Sequence, residues 1–295
     1  MLPRQTRYGY SAMQQRLGWT WPGGSKLAVY VALGVEEYIF GEGMTEDLFP
    51  GAPKPDYANT SWRDYGNRVG GFRVMDACAA AGLTPALLLN TELYDHAPAV
   101  TDHARALGCE VVAHGLTNSH TLAGRDPQDE AAYLAAVAAA IARAEGQAPA
   151  GWSSPWLAHT DHTADLLVET GYRYVLDLGM DDQPVWLSTR SGPLLCVPYG
   201  LELNDSTTII GRQADARDFA QMIIDQFDEL LHQATVGDQA LVMPIVLHSF
   251  ISGQPFRLRA LRAALDHIAA AGDRIWRTSP GAIAQHIFDQ PSRAV

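Results

Sequence analysis

Residues 26–35 read KLAVYVALGV, an almost unbroken apolar run rich in β-branched side chains. A strand with one wet face alternates polar and apolar residues, so a run of this kind predicts a strand covered on both faces, as in a parallel sheet. Working outward, RVGGFRVMDACAAA at 68–81 spaces its apolar positions as a helix does, and LTPALLLN at 83–90 returns to a strand pattern. The three segments make one βαβ unit. The alternation continues with a helix over 98–107, the strand EVVAH at 110–114, and an Ala-rich helix opened by Asp126 and Pro127 and ended near Gly146. Further strands are predicted at 150–154, 172–178, 194–199, 240–248 and 274–278, with helices near 161–170, 215–233, 257–271 and 280–288. Seven or eight short strands, most followed by a helix, define an α/β fold with a mainly parallel sheet. The length and the lack of a halfway break favour a TIM-like barrel over an open doubly wound sheet. The Rossmann alternative also lacks its G-x-G-x-x-G fingerprint: GEG at 41–43 is followed by acidic and aromatic residues.

A chain of 295 residues with 47% hydrophobic content fills one such core, so a single domain over 1–295 is expected, with 1–25 as an N-terminal extension. The formal charge of −12 opposes phosphate backbones and anionic lipid surfaces, which argues against nucleic-acid and membrane partners and for a small-molecule one. The apolar stretch from Leu27 to Leu33 is far shorter than the roughly 20 residues that span a bilayer. The amino terminus has no apolar h-region, which predicts a cytoplasmic protein. The cysteines Cys78, Cys109 and Cys196 are odd in number and scattered, the pattern of buried thiols. The segment 40–67 is a long connection rich in Gly, Pro and aromatic residues, and reads either as a lid over the barrel mouth or as a loop that packs on a neighbouring subunit. Apolar faces on several helices point to a homo-oligomer, a dimer or a tetramer.

Catalytic groups of a parallel barrel come from the carboxyl ends of its strands. Three of those ends carry notable residues: Glu36 and Glu37 after the first strand, His114 within HGLTNSH, and His248 within VLHSFISGQPF. An acidic group and imidazoles at one rim either bind a divalent cation that activates water or act directly as base and acid on an amide carbonyl. Of the adjacent acids, one is expected to face the site. His120, His159, Asp161 and His162 are weaker candidates, since histidines in loops and at helix starts are commonly solvated. No G-x-S-x-G elbow is present, which argues against a serine triad.

The motifs WPGG at 21–24, VEE at 35–37, DYGNRVG at 64–70, EVVAHGLTNS at 110–119, GWSSPW at 151–156, DDQPVWL at 181–187 and LHSFISGQPFRLRAL at 247–261 run through nearly the whole chain. With them the sequence resembles the polysaccharide deacetylase (NodB-like) superfamily, and especially its allantoinase-like and cyclic-imide-hydrolase-like branch. The resemblance implies a distorted, incomplete (β/α) barrel. It implies that Glu36 stands in the place of the metal-binding Asp, that His114 is the first histidine of the metal motif, and that His248 is the general acid. Metal-dependent deacetylases carry a second histidine four residues after the first, where this sequence has Asn118; the next histidine is His120. A zinc site of Glu36, His114 and His120 and a metal-independent mechanism are therefore both open. Ser153 stands where the family has an arginine, and Ser249 follows the last histidine in place of a proline.

The expected reaction is hydrolysis of a C–N bond in a small cyclic amide, imide or ureide. His114 and His248 flank a planar ring, Glu36 helps to activate water, Asn118 and Arg68 contact the substrate, and Trp152 or Trp156 stacks on it. The alternatives are a carbohydrate N-deacetylase that releases acetate and an inactive small-molecule-binding homologue.

Overall fold

The computed structural model describes residues 4–290 and 293–295. Its elements, in chain order, are β1 (Leu27–Val35), α1 (Tyr57–Tyr65), α2 (Gly71–Ala80), β2 (Ala86–Leu89), α3 (Leu93–His96), α4 (Pro98–Leu107), β3 (Val111–Ala113), α5 (Pro127–Glu145), β4 (Gly151–Trp152), α6 (Thr163–Glu169), β5 (Tyr174–Val175), β6 (Val185–Leu187), β7 (Leu194–Cys196), α7 (Ala216–Gly237), β8 (Leu241–His248), α8 (Ser249–Ser252), α9 (Pro255–Ala269), β9 (Ile275–Arg277) and α10 (Pro280–Asp289). Two π-helical turns, Gly66–Gly70 and Ser206–Gly211, complete the elements that bear on the site.

β1 is buried at every residue because strands flank both its edges and apolar side chains cover both its faces. It pairs in parallel with β8 along one edge, while β2 takes the C-terminal half of the other edge and β9 the N-terminal part. Its odd-numbered residues, Leu27 to Val35, pack against helical side chains such as Met75, Phe227 and Leu261. The even ones, Ala28, Tyr30 and Ala32, face inward with Tyr174, Tyr199 and Val246. A continuous apolar run is what two apolar faces require.

The strands follow the order β6-β7-β5-β4-β3-β2-β1-β8, with β9 on β1. Every pair is parallel except β6 with β7. Among the described residues no ladder joins β6 to β8. The gap is crossed by the isolated bridge of Asn204 to Val246, by the Val242 N–H donating to the Asp182 carbonyl at 2.8 Å and by Gln183 Nε2 donating to the Ala240 carbonyl at 2.9 Å. The expected distorted, incomplete barrel is what the chain forms. The strand that the pattern did not predict is β6, which DDQPVWL supplies as a short antiparallel edge. No helix among the described residues is long and apolar enough to cross a membrane.

Local chemistry fixes the helix ends. The Asp126 side chain accepts from the N–H groups of Gln128 and Asp129 at the start of α5, and Gly146 ends that helix in the left-handed region at φ 76°. The expected loop over 40–67 is shorter than predicted. Asp56 accepts from the Asn59 N–H and starts α1, so residues from Tyr57 onward are helical and the loop spans 36–56.

α1, the first π turn and α2 run on as one helical path, which crosses α8 immediately after His248. The crossing needs glycine: a Cβ on Gly70 would strike the Ser249 carbonyl oxygen, and one on Gly253 would strike the Gly70 backbone. Gly70→Ala is expected to destabilise the protein by about 1–3 kcal/mol, the usual cost of overpacking. Gly9→Ala, with open space around its Cβ position, should leave the urea midpoint unchanged. Equal midpoints for the two variants would contradict this role for the crossing.

Candidate active site

Glu36, His114 and His248 directly follow or end β1, β3 and β8, which lie within one four-strand run of the sheet, so all three reach the same rim. They are 4%, 5% and 9% exposed. The Glu36 Oε1 lies 3.7 Å from His114 Nε2 and 3.5 Å from His248 Nε2. One carboxylate oxygen thus faces both imidazoles. Glu37 points away, to His96 Nδ1 at 2.9 Å, and accepts from Asn67 Nδ2 at 3.3 Å.

The two imidazoles are held by different partners. His114 Nδ1 lies 2.8 Å from the Ser153 carbonyl, which only accepts, so Nδ1 carries a proton and Nε2 is the nitrogen turned toward Glu36. His248 Nδ1 lies 2.6 Å from Asp205 Oδ1. The other oxygen of that fully buried aspartate accepts from the His248 N–H at 2.9 Å and the Ser252 hydroxyl at 2.5 Å. Burial opposes a charged His248, but the negative charges of Glu36 and Asp205 outweigh it and raise its pKa to about 10. His248 is an imidazolium at neutral pH. Burial also opposes the charge on Glu36, yet the cation at His248, the neighbouring His114 and the Tyr38 hydroxyl hold that carboxyl below its usual range.

Asn118 and Tyr38 complete the setting of Glu36. The Tyr38 hydroxyl donates to Glu36 Oε2 at 2.5 Å, and Asn118 Nδ2 donates to the Tyr38 oxygen at 2.8 Å and to Glu36 Oε2 at 3.1 Å. Because Tyr38 spends its proton on the glutamate, its oxygen needs a donor, which fixes the Asn118 amide with Nδ2 toward the pair. The Asn118 Oδ1 is buried without a partner. The Asn118 carbonyl accepts from Trp156 Nε1 at 2.8 Å, which anchors an indole held at φ 60° and 39% exposed.

These groups enclose a cavity of about 160 Å³, walled by Glu36, His114, Asn118, Trp156 and His248 together with Glu46, Tyr199 and Asn204. A larger groove of about 870 Å³ shares Tyr199 and Thr207 with it but includes neither histidine. The smaller cavity holds the chemistry.

Three expected site residues lie elsewhere. Trp152 is fully buried, donates to Ser154 Oγ at 2.8 Å and packs edge-on against Tyr172, so it belongs to the core. Arg68 is exposed on the first π turn, outside the cavity, because that turn aims its glycines rather than its arginine at the barrel. His120 is exposed beyond the cavity, and the set of Glu36, His114 and His120 does not assemble. Among the described residues no group of three His, Cys, Asp or Glu side chains is placed to hold a metal ion. A zinc site takes at least three protein ligands. Here Glu36 Oε1 and His114 Nε2 are two, and Asn118 presents its amide N–H groups, not a lone pair, to the shared glutamate. The residues present do not fit the metal that the family resemblance implies.

The sequence reading missed Asp205, Tyr38 and Glu46. Tyr38 stands two residues beyond Glu36, the one spacing signal available. Asp205 and Glu46 lie in irregular segments whose local pattern says nothing about where they fold.

No family model matches the sequence. A Schizosaccharomyces pombe protein described as a polysaccharide deacetylase is 26% identical over 288 residues, covering 89% of this chain and 86% of its own length. A Helicobacter pylori peptidoglycan deacetylase is 28% identical over 117 residues, covering 40% of this chain and 35% of its own. The resemblance to the polysaccharide deacetylase superfamily read from the motifs thus holds, and the fold agrees. The crystal structure of Puue allantoinase superposes with a TM-score of 0.86 at 23% identity, covering 98% of this chain and 99% of that one. A Pseudomonas aeruginosa protein described as a polysaccharide deacetylase gives 0.80 at 24% identity, covering 92% and 93%.

Since the raised His248 pKa depends on its carboxylate neighbours, Asp205→Asn should move it from about 10 toward the ordinary histidine value, read by NMR titration of the imidazole. A pKa raised on folding contributes stability in full below the unfolded value, near 6.5, and loses it as pH rises through about 10. The same variant should therefore lose most of its extra stability by neutral pH, and an unchanged profile of Tm against pH would contradict the pairing.

Proposed function

We propose that the protein is a hydrolase that opens a C–N bond in a small cyclic amide, imide or ureide without a metal ion. A hydrolase of the polysaccharide deacetylase superfamily is the coarser class to which the relatives and the paired histidines both point. The finer reading rests on one observation: Asn118, at the position of the second metal-binding histidine, turns its amide N–H groups to Glu36 and Tyr38, so that only Glu36 and His114 remain where a metal site needs three ligands. The cavity, at about 160 Å³, is smaller than the roughly 300–1,000 Å³ of drug-sized ligand sites and suits a single small ring.

The mechanism takes His114 as the neutral base and His248 as the charged acid. Water held between Glu36 Oε1 and His114 Nε2 attacks the ring carbonyl carbon and gives a proton to Nε2, the free lone pair. Glu36, held below the usual carboxylate range, is the poorer base and offsets the charge formed on His114. The imidazolium of His248 stabilises the oxyanion. Its Nε2 proton then passes to the ring nitrogen as the C–N bond breaks. The product is the open-chain acid with a free amide or urea nitrogen, and Trp156 gives the ring a flat wall at the mouth. A carbohydrate N-deacetylase is the second reading, favoured by the names of the curated relatives.

The deciding measurement is turnover of succinimide, hydantoin and allantoin against acetate release from N-acetylglucosamine oligomers, each with added zinc and with chelator. Ring opening that is indifferent to both additions is expected; acetate release that requires zinc would replace this reading with the second. Loss of the base in His114→Ala should lower kcat by about 100-fold or more. The alkaline limb of the pH–rate profile should fall as His248 loses its proton near pH 10.

A further inference from the structure

The reaction outlined above makes no use of Glu46, yet the 36–56 loop fixes this residue over the cavity. Its Oε1 accepts from the Ser206 hydroxyl at 2.7 Å, and its backbone carbonyl accepts from the buried Arg63 guanidinium at 2.6 Å. Ser119 holds the loop from the other side. The Met44 N–H donates to the Ser119 carbonyl at 3.1 Å and the Ile39 N–H to its hydroxyl at 2.9 Å. Among the described residues nothing donates to Glu46 Oε2.

The electrostatics of the cavity are one-sided. Glu36 and Glu46 line it, Asp205 stands behind His248, and the described lining contains no Lys or Arg, so His248 is its one strong cation. The unfilled acceptor on Glu46 and the surplus of carboxylates match a ligand that bears N–H groups and is free of negative charge.

We propose that Glu46 is a specificity-determining residue whose carboxylate receives an N–H donor on the substituent of the ring and turns away rings that carry a carboxylate or phosphate. This inference rests on the cyclic-amide reading and narrows its substrate class to neutral, N–H-bearing rings. The physical reason is discrimination by repulsion as well as attraction. A primary amide or ureido group fills the acceptor, whereas an anionic group meets like charges where water screens them poorly.

The test sets hydantoin-5-acetamide against hydantoin-5-acetic acid in direct competition, so the ratio of kcat/KM values is independent of how much enzyme is folded. Like-charge juxtaposition predicts that wild type prefers the amide by about 100-fold. Glu46→Gln, which keeps the shape and removes the charge, should cut the preference by about tenfold or more. Ser206→Ala, which frees the carboxylate, should shift it in the same direction by less. A wild-type ratio near one, or a ratio unchanged in Glu46→Gln, overturns the proposal. Calorimetric binding of the two compounds reads the same preference without turnover. If wild type opens neither ring, the proposed reaction fails, while tighter binding of the amide, lost in Glu46→Gln, still supports Glu46 as the selector. Equal binding, or none by either compound, overturns it.

Discussion

Glu36 carries its charge at a position only 4% exposed, where a carboxylate without compensation is unfavourable by several kcal/mol. The surrounding site supplies that compensation. Tyr38 and Asn118 donate to one oxygen, and the imidazolium of His248 and the ring of His114 face the other. Because His248 is itself held by Asp205, the charges form a series of carboxylate, imidazolium and carboxylate, in which each member keeps the next ionised. The charges of Glu36 and His248 follow from that series.

The same arrangement gives the asparagine at 118 its part in the proposed chemistry. A histidine at 118 would offer a lone pair beside Glu36 and His114. Asparagine offers N–H groups, and these bind the other glutamate oxygen, Oε2, and the Tyr38 hydroxyl oxygen. Hydrogen bonds thereby occupy the place of a third ligand, and in the proposed reaction the centre works through protons.

Backbone irregularities position these groups. One π turn lets Gly70 pass Gly253 and set α8 behind His248, and the other carries Ser206 to Glu46. Such turns cluster at functional sites because they place a side chain where a regular helix would not. The open edge of the barrel between β6 and β8 has a related effect, since the segment that crosses it brings Asn204 and Asp205 to the rim.

Local pattern was enough for the parallel barrel, the position of β1, the caps of α5, and the placing of Glu36, His114 and His248 at strand ends, because each depends on residues adjacent in the chain. Asn118 was visible as a departure from a motif, but the direction of its amide was not. The turn of Trp152 into the core and of Trp156 into the cavity, four residues apart, depended on a left-handed backbone at Trp156 that composition does not reveal. Asp205 lies 43 residues from the His248 it serves and Glu46 lies 160 residues from the Ser206 that holds it, while Arg68 and His120 sit in or beside motifs yet face solvent. The sequence by itself determined which strands end at the rim and which chemistry they carry there. Only the tertiary structure decided which neighbours set the charge of each group, since contacts between distant segments leave no periodic trace in either one.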